Sequence, residues 1–476
     1  MNGFNTRVSV SAARYAALRQ RPLNNRIGLI GHSMLDQAIG QLVSGQQLRS
    51  ASLALTAFPS WVSMLSRGRY LIPENCKFAV AASLVSDLSE RTLTAATAPS
   101  GFGLGKTQLQ AAIDCPAATI AVMSGHNDRM NGVSLATSIT KMTLALNALT
   151  GAGKIVLLCS AIPTGSASFP TRRLTGSQLA AHLAWCDWTT RIAPTLWPGQ
   201  VYAIDFWQDM VDMAPSATAG DVVSAKTQDG VHPSSWGAYL MARRVLAVLD
   251  GLGIPAAAPN VHRRGEIYDA TSNPRGNLLG ANGLLADAGT ALSGSSGGVT
   301  FSGVRPSGAN VYVNSAGQAG TLTIAGAMVT TPTGAWWQMT VTGTTAANAG
   351  PNFTLNPPNL SPANVAPNDV LHGFGEFEID AGGTGLCGFP LALIRNLPGP
   401  QVDNMNMGYG GESTGVLDPV LSGLPGPLSG SWNGDLLSTV SGAETAISTY
   451  LQINLKASAT VNLTMRVRNL AVRKVM

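Results

Sequence analysis

The chain has 476 residues, enough for two or three average domains, and 45% of them are apolar, so buried cores can form. Only 12% are charged, which excludes the highly charged composition of disordered chains. Residues 1–255 carry 20 Lys and Arg against 13 Asp and Glu, whereas residues 256–476 carry 10 against 12. This surplus is compatible with an anionic substrate, although arginines scattered over a solvated surface are its commoner origin. Neither part has a dense basic run, so we expect no nucleic-acid partner.

Cysteine usage and hydropathy exclude three further classes of protein. The five cysteines are an odd number, widely spaced, without a C-x-x-C pair or zinc-type spacing, so we predict neither a disulfide framework nor a structural metal. No apolar stretch of about 18 residues is present, which predicts that the chain does not span a membrane. The arginine-containing N-terminus does not resemble a signal peptide.

From Arg26 to about Gly253, short apolar runs alternate with helical patterns, which is typical of βαβ units around a parallel sheet. Five strands are predicted, over Arg26–Gly31, Lys77–Ser83, Ala118–Met123, Ile155–Cys159 and Val201–Phe206. Helices are predicted from Leu135 to a cap at Gly151, over Ser177–Ile192 and over Ser234–Leu249. Continuously apolar strands suit a sheet covered on both faces, so we expect a three-layer α/β/α domain over residues 1–255.

The amino-acid composition and the periodicity change after the Ile254–Pro259 segment, and we predict that this segment is the domain boundary. Glycine rises from 21 in the first 255 residues to 32 in the last 221, and helical periodicity disappears. Alternating segments between Gly, Pro, Asn and Ser turns predict an antiparallel β-sandwich of jelly-roll type over residues 256–476. These segments are Asn310–Val313, Thr321–Ile324, Gln338–Val341, Glu376–Ile379, Tyr450–Leu455 and Thr460–Val467.

Three short blocks in the first part carry residue types suited to nucleophilic catalysis. Ser33 follows the first predicted strand, where open α/β sheets bind ligands, although a helix N-cap would also place a serine there. Asn127 follows the third predicted strand and is either an amide donor to an oxyanion or part of an Asn-Asp turn. Asp229 and His232 stand three apart before the last helix, a spacing that lets a carboxylate orient an imidazole but also occurs by chance.

Taken together and in this order, the three blocks resemble those of the SGNH hydrolases, the GDSL-type esterase and lipase superfamily, over residues of about 25–252. The resemblance rests on Gly31-His32-Ser33, Gly125-His126-Asn127-Asp128 and Asp229-Gly230-Val231-His232-Pro233. It implies a flavodoxin-like hydrolase domain with Ser33, His232 and Asp229 as a catalytic triad. His32 stands where the family commonly has Asp, which changes the electrostatics on the substrate side.

The family also has a glycine whose backbone N–H completes the oxyanion hole together with the nucleophile N–H and the Asn amide. The resemblance favours Gly105, before Lys106 and Thr107, with Gly103 as the alternative. The same segment is one residue short of a phosphate-binding loop and follows no apolar strand, so we expect no ATP binding. The other histidines, His182, His262 and His372, are expected to be surface or packing residues without a role.

The implied activity is ester hydrolysis without a metal or organic cofactor. Because a β-sandwich joined to an esterase is able to hold a polymer near the site, we favour an O-acetyl esterase acting on an acetylated polysaccharide. The alternatives are a short-chain lipase or thioesterase, and a phage tail receptor-binding or structural protein. An extracellular or virion-associated location fits these readings.

Two expectations concern the second domain. Its aromatic residues could stack on sugar rings, although aromatic residues of a sandwich more often lie in the core; they are Tyr312, Trp336, Trp337, Tyr409 and Trp432. Since the catalytic blocks all precede Gly253, residues 1–255 are predicted to hydrolyse a small acetyl ester alone if they remain soluble.

Overall fold

A computed structural model provides the structure of the protein. It describes residues 24–36, 50–94, 96–97, 103–253, 267–285, 287–292, 295–296, 298–314, 320–346, 352–357, 360–367, 369–396, 402–409, 416–434 and 444–475. The Ile254–Pro259 segment and His262 lie outside these ranges.

A four-stranded parallel sheet forms the centre of the first part. The first five strands of the chain are β1 (Ile27–Gly31), β2 (Ser50–Ala54), β3 (Thr119–Met123), β4 (Ile155–Cys159) and β5 (Val201–Ile204). All except β2 belong to this sheet, in the order β1-β3-β4-β5. The strand predicted over Lys77–Ser83 is wrong as a regular strand. That segment runs beside β1 and donates only two backbone hydrogen bonds to it, from Phe78 to Leu29 and from Val80 to Gly31.

Helices follow the strands, as the periodicity predicts. They are α1 (Ser33–Asp36), α2 (Phe58–Leu65), α3 (Asp87–Glu90), α4 (Gln108–Asp114), α5 (His126–Met130), α6 (Leu135–Gly151), α7 (Gly176–Asp187), α8 (Ala193–Leu196), α9 (Trp207–Met210), α10 (Ser235–Gly251) and α11 (Asp418–Ser422). A π-helical turn over Trp188–Ile192 continues α7. The Ser134 hydroxyl caps α6 by accepting the Thr137 N–H, which explains why that helix begins there.

Alternate residues of the parallel sheet enter two separate cores. Leu29 and Ala121 pack in one core with α2 and α10, whereas Ile30 and Val122 pack in the other with α4 and α6. Since successive side chains of a strand point to opposite faces, both faces of the sheet are covered. The predicted three-layer α/β/α architecture is confirmed.

Most of the second part consists of antiparallel strands. They are β6 (Ala288–Ala291), β7 (Ser295–Ser296), β8 (Val299–Pro306), β9 (Asn310–Asn314), β10 (Thr321–Thr331), β11 (Gly334–Thr344), β12 (Asn352–Asn356), β13 (Val370–Ile379), β14 (Leu386–Gly388), β15 (Leu391–Asn396), β16 (Val402–Tyr409), β17 (Leu428–Gly434), β18 (Ala446–Leu455) and β19 (Thr460–Val475). One sheet has the order β17-β13-β19-β11-β10-β8-β6 with β7 beside β8, and the other has β2-β16-β15-β18-β12-β9 with β14 beside β18. All six predicted segments lie in strands, and the β-sandwich is confirmed.

The large aromatic residues of the sandwich lie mostly in its core. Trp336, Trp337 and Trp432 are at most 2% exposed, so packing, rather than sugar stacking, explains them. Trp432 also contacts the rings of Phe377 and Phe389. Tyr312 is 47% exposed and remains available for ligand contact.

The two parts of the chain share one apolar core. Strand β2, from the first part, pairs in parallel with β16 of the sandwich. Helix α2 packs against β17, and Arg67 just after it donates a hydrogen bond to Ser429 at 3.2 Å. A single cluster of buried side chains includes Trp61 of α2 and Trp432 of β17. The sandwich is therefore packed directly against one helical layer of the α/β part.

All five cysteines are buried, and none of them forms a disulfide. In the ranges given above, no helix is long and apolar enough to cross a lipid bilayer.

Candidate active site

Ser33 lies where β1 turns into α1. Gly31 ends the strand with a φ of +142°, and a Cβ built on it would lie 1.9 Å from the Met123 carbonyl oxygen, so only glycine fits. The next N–H, of His32, donates to the same carbonyl at 3.2 Å. This close approach between β1 and β3 places Ser33, which is partly exposed, at the carboxyl edge of the parallel sheet.

Asp229 and His232 lie in a tight turn before α10. Asp229 Oδ1 accepts the N–H groups of Val231 and His232 at 3.0 and 2.8 Å, and Oδ2 lies 2.8 Å from His232 Nδ1. Burial raises the pKa of Asp229, but the hydrogen bonds from the ring and backbone of His232 and from Val231 outweigh it, so the pKa lies below its usual range. The carboxylate is therefore ionised at neutral pH and fixes the imidazole.

The other ring nitrogen of this imidazole points at the serine. His232 Nε2 lies 2.8 Å from Ser33 Oγ. With the proton of the neutral ring on Nδ1, Nε2 accepts the Ser33 hydroxyl proton while Nδ1 donates to Asp229. The carbonyl of His232 accepts hydrogen bonds from Gln228 N at 2.9 Å and from Thr227 Oγ1 at 2.8 Å, which hold the turn in place. These contacts have the geometry that a nucleophile, a base and an orienting carboxylate require.

Asn127 lies on α5, directly after β3. Its Nδ2 donates to the Ser83 carbonyl at 3.0 Å, and its side chain is partly exposed. The neighbouring Asp128 is buried and accepts from Ser138 Oγ at 2.8 Å and from Val85 N at 3.0 Å. Asp128 thus fixes α5 to the residues around it. Asn127 lies at the surface of the site, where the second hydrogen of its amide remains available for a ligand.

The prediction that Gly105 completes an oxyanion hole is wrong. Its N–H already donates to the Leu93 carbonyl at 3.0 Å, so it is not free to bind an oxyanion. The alternative, Gly103, is explained by packing, because a Cβ there would lie 3.0–3.1 Å from side-chain atoms of Leu93, Ala111 and Phe78.

The segment that contains Gly105 contributes to the site through a residue three positions further on. Gln108 is fully buried at the start of α4, where its Oε1 accepts the Gly31 N–H at 2.8 Å and its Nε2 donates to Ser83 Oγ at 3.0 Å. It therefore joins the strand end before Ser33 to the residue that accepts the Asn127 amide. The only feature of the sequence that could have indicated Gln108 is that a polar residue stands at a position on the inward face of α4.

The backbone N–H groups of Ala81 and Ala82 are two further donors. Both residues are exposed and follow Val80, whose N–H donates to the Gly31 carbonyl, and they precede Ser83, whose carbonyl accepts the Asn127 amide. Ala82 has a φ of +60°, a left-handed conformation that alanine seldom adopts. Their N–H groups have no acceptor among the residues that the structure describes. Such strain gathers at functional sites.

Three buried imidazoles, the histidine row, lie behind the triad. His32, His126 and His182 have successive ring centroids 6.2 and 6.0 Å apart, and each ring is at most 2% exposed. Burial, with the charges of His232 and His182, lowers the pKa of His32 to about 3. Burial also lowers the pKa of His182 to about 4. The hydrogen bond with the Ile162 carbonyl raises this pKa, whereas the positive charge of Arg129 lowers it further. The row is uncharged at neutral pH, and His182 is a core residue.

In the described part of the chain, no three His, Cys, Asp or Glu side chains gather in a way that could hold a metal ion.

Comparisons with known proteins give solved structures alone. No family model and no curated protein matches the chain. A lipolytic protein of the G-D-S-L family from Desulfitobacterium hafniense is 14% identical, with 47% of this chain and 99% of that chain covered and a TM-score of 0.32. A GDSL-like lipase from Bacteroides thetaiotaomicron is 15% identical, with 51% and 97% covered and a TM-score of 0.33. An acetyl xylan esterase is 12% identical, with 47% and 99% covered and a TM-score of 0.33.

The fold and the meeting of the three sequence blocks agree with the resemblance that the sequence predicts. Ser33, Asn127 and His232 follow β1, β3 and β5 respectively, at the same edge of one parallel sheet. The chain resembles the SGNH hydrolases in this α/β part, and a β-sandwich is joined to it.

Proposed function

We propose that the chain is a serine esterase of the SGNH type. The observation that carries this proposal is the pair of 2.8 Å contacts from His232, one to Ser33 Oγ and one to Asp229 Oδ2. In the reaction, His232 Nε2 takes the hydroxyl proton while Ser33 Oγ attacks the ester carbonyl. His232 then gives that proton to the departing alcohol, and water hydrolyses the acyl-enzyme with His232 again acting as base.

The oxyanion requires N–H donors beside Ser33, and we propose four candidates. The Ser33 N–H begins α1, so it has no partner within that helix. The Asn127 amide keeps one hydrogen free while the other donates to Ser83. Ala81 and Ala82 replace Gly105 as the source of a further backbone donor. Donors of this kind contribute about 3–4 kcal/mol each to transition-state stabilisation in acyl transfer.

As substrate we propose an O-acetylated polysaccharide. The support is the β-sandwich, which is packed against the esterase part through α2 and β17 and so lies at a fixed position relative to it. A second surface that binds the same polymer raises the effective concentration of its acyl groups at Ser33. Tyr312, on β9, is an exposed aromatic side chain of that sandwich.

The first experiment compares 4-nitrophenyl acetate, butyrate and octanoate as substrates of the whole chain and of Ser33→Ala. We expect the acetate to be preferred, and Ser33→Ala to lower kcat by on the order of 10⁴ or more with an unchanged circular dichroism spectrum. Equal turnover by folded Ser33→Ala would contradict the esterase assignment. A preference for octanoate would favour a lipase or thioesterase.

The second experiment measures acetate release from a panel of acetylated polysaccharides. Ser33→Ala serves as the control for spontaneous deacetylation. If the chain hydrolyses 4-nitrophenyl acetate but releases acetate from none of the polymers, the esterase assignment stands and the proposed polysaccharide substrate is contradicted.

A further inference from the structure

An exposed arginine lies directly against the turn that carries the triad base. Gly230 stands between Asp229 and His232 with a φ of +84°. A Cβ built on Gly230 would lie 3.1 Å from Cβ and 3.3 Å from Cγ of Arg172. The stem of Arg172 therefore packs on the catalytic turn, and its side chain is exposed.

The segment that carries Arg172 is fixed to the same turn by backbone hydrogen bonds. The Gly165 N–H donates to the Gly230 carbonyl at 2.7 Å, and the Gly165 carbonyl accepts the Val222 N–H at 2.8 Å. A 3₁₀ turn over Pro170–Arg172 then follows, in which the Arg172 N–H donates to Phe169. The base of the Arg172 side chain is thus held at a defined distance from His232.

The adjacent arginine, Arg173, has a structural role, with which Arg172 can be compared. Arg173 donates twice to Asp221, from Nε at 2.7 Å and from Nη2 at 2.6 Å, and the Asp221 side chain is only 3% exposed. Arg172, by contrast, makes no ion pair or side-chain hydrogen bond with any residue in the described ranges. A cation without an internal partner beside a reactive centre is available for a ligand.

We propose that Arg172 binds an anionic group of the substrate, a carboxylate on the sugar that carries the ester or on its neighbour. This inference rests on the proposed esterase function and narrows its substrate class to acidic glycans, such as those that contain uronic acids. A guanidinium binds a carboxylate through two parallel N–H donors, which also orients the sugar.

A single guanidinium matches a single negative charge. The neighbouring Arg173 is paired with Asp221, and Lys226 Nζ donates to the Asp209 carbonyl at 2.6 Å. Arg172 is the cation that these contacts leave over, and it fits a monoanionic carboxylate better than a doubly charged phosphate.

The test uses the whole chain and two probes that differ only in charge. One probe is a methyl galacturonoside with a single acetyl group, at O-2 or at O-3, and the other is the matching galacturonamide. We expect wild type to favour the acid by about tenfold in kcat/KM for one of the two acetyl positions. The preference should shrink at about 1 M sodium chloride, where the Debye length is roughly 3 Å.

Arg172→Gln should abolish the preference by raising KM for the acid, with the amide and 4-nitrophenyl acetate unaffected. Arg172→Lys, which keeps the charge but not the paired donors, should retain part of the preference. Arg243→Gln is the matched control, because Arg243 is an exposed cation two turns into α10 that contacts the Tyr239 ring. It removes the same charge and should keep the wild-type preference.

Two results would overturn this inference and leave the proposed esterase function intact. One is Ser33-dependent turnover of 4-nitrophenyl acetate without any preference for the acid probe. The other is an equal loss of kcat/KM on both probes in Arg172→Gln. Absence of Ser33-dependent turnover on every ester would instead contradict the proposed function, and the inference with it.

Discussion

Gln108 Oε1 accepts the Gly31 N–H at 2.8 Å, although the two residues lie 77 positions apart. Through its other amide atom, Gln108 also holds Ser83, the residue whose carbonyl accepts the Asn127 amide. One buried side chain therefore connects the nucleophile strand to the oxyanion side of the site. Gln108 does not touch the reacting atoms, so it is a positioning residue.

Replacing Gln108 should lower turnover without removing the triad. We expect Gln108→Met to reduce kcat on 4-nitrophenyl acetate by about tenfold, since small displacements of reacting groups are costly, and to leave KM nearly unchanged. Unfolding should require about 1–3 kcal/mol less, because the Gly31 N–H is left buried without an acceptor. Gln110→Met, an exposed position on the same helix, is the control. Loss of stability with unaltered kcat would show that Gln108 only supports the fold.

Asn127 is predicted to stabilise the oxyanion. Asn127→Ala should lower kcat by about 10²–10³, the effect of removing one oxyanion donor, while KM changes little. Asn131→Ala is the matched control one turn further on, since the Asn131 amide donates to the Asn127 carbonyl at 2.8 Å, whereas it is the Asn127 amide that donates to Ser83. If both variants lose the same small factor, the Asn127 amide acts on the position of α5 and not on the oxyanion.

The histidine row predicts that the fold is sensitive to acid. His32 and His182 have pKa values of about 3 and about 4 in the folded chain and about 6.5 when unfolded, so the unfolded chain binds more protons between these limits. Stability therefore rises with pH in this window and is lost as pH falls from about 6.5 toward 4. At pH 5 each imidazole should lower the free energy of unfolding by about 2 kcal/mol relative to pH 7.5.

Urea unfolding at both pH values checks this prediction. His182→Gln, which retains a donor for the Ile162 carbonyl, should lose about 2 kcal/mol less than wild type between pH 7.5 and pH 5. An identical loss in the two proteins would mean that other groups cause the acid sensitivity.

The shared core predicts that the two parts of the chain unfold together. A Cβ on Gly430 of β17 would lie 2.7 Å from the Met64 carbonyl oxygen of α2, whereas one on Gly426 would meet nothing within 4 Å. Gly430→Val should therefore lower the free energy of unfolding by about 1–3 kcal/mol, the usual cost of overpacking, and Gly426→Val should have little effect. Calorimetry should show a single transition that moves to lower temperature in Gly430→Val. Two transitions, of which only one moves, would contradict a common core.

The shared core also bears on the expectation that residues 1–255 hydrolyse a small ester alone. Such a fragment would leave β2 without β16 and the apolar contacts of α2 with β17 exposed to water. We therefore expect it to be insoluble or inactive on 4-nitrophenyl acetate and polysaccharide alike. A soluble fragment with wild-type turnover of the small ester would restore the original expectation.

Sequence was informative wherever a residue type and its spacing reflect one chemistry. Asp229, His232 and Ser33 could be grouped because their three blocks, taken in order, resemble those of the SGNH hydrolases, whereas the spacing of each block alone left another interpretation open. Gly105 could not be judged in this way, because every residue except proline carries an N–H and only coordinates show that Leu93 already accepts this one. Gln108 was missed since its two partners are 77 and 25 positions away.

Long-range pairing explains the errors in the fold. The Lys77–Ser83 run has the apolar character of a strand, but its alternate N–H groups reach β1 only at Phe78 and Val80. Strand β2 was not predicted, because nothing near Ser50–Ala54 in sequence indicates a partner beyond residue 400.

The pairing of β2 with β16 also sets an order of events during synthesis. About 350 residues separate Ala54 from Val402, so a ribosome that adds 5–20 residues per second needs roughly 20–70 s to make the partner strand. During that interval the emerging N-terminal half carries an unpaired strand and the uncovered side of α2. The nascent chain is thus a target for chaperones during that interval, and the α/β part reaches its final packing only after β16 has been made.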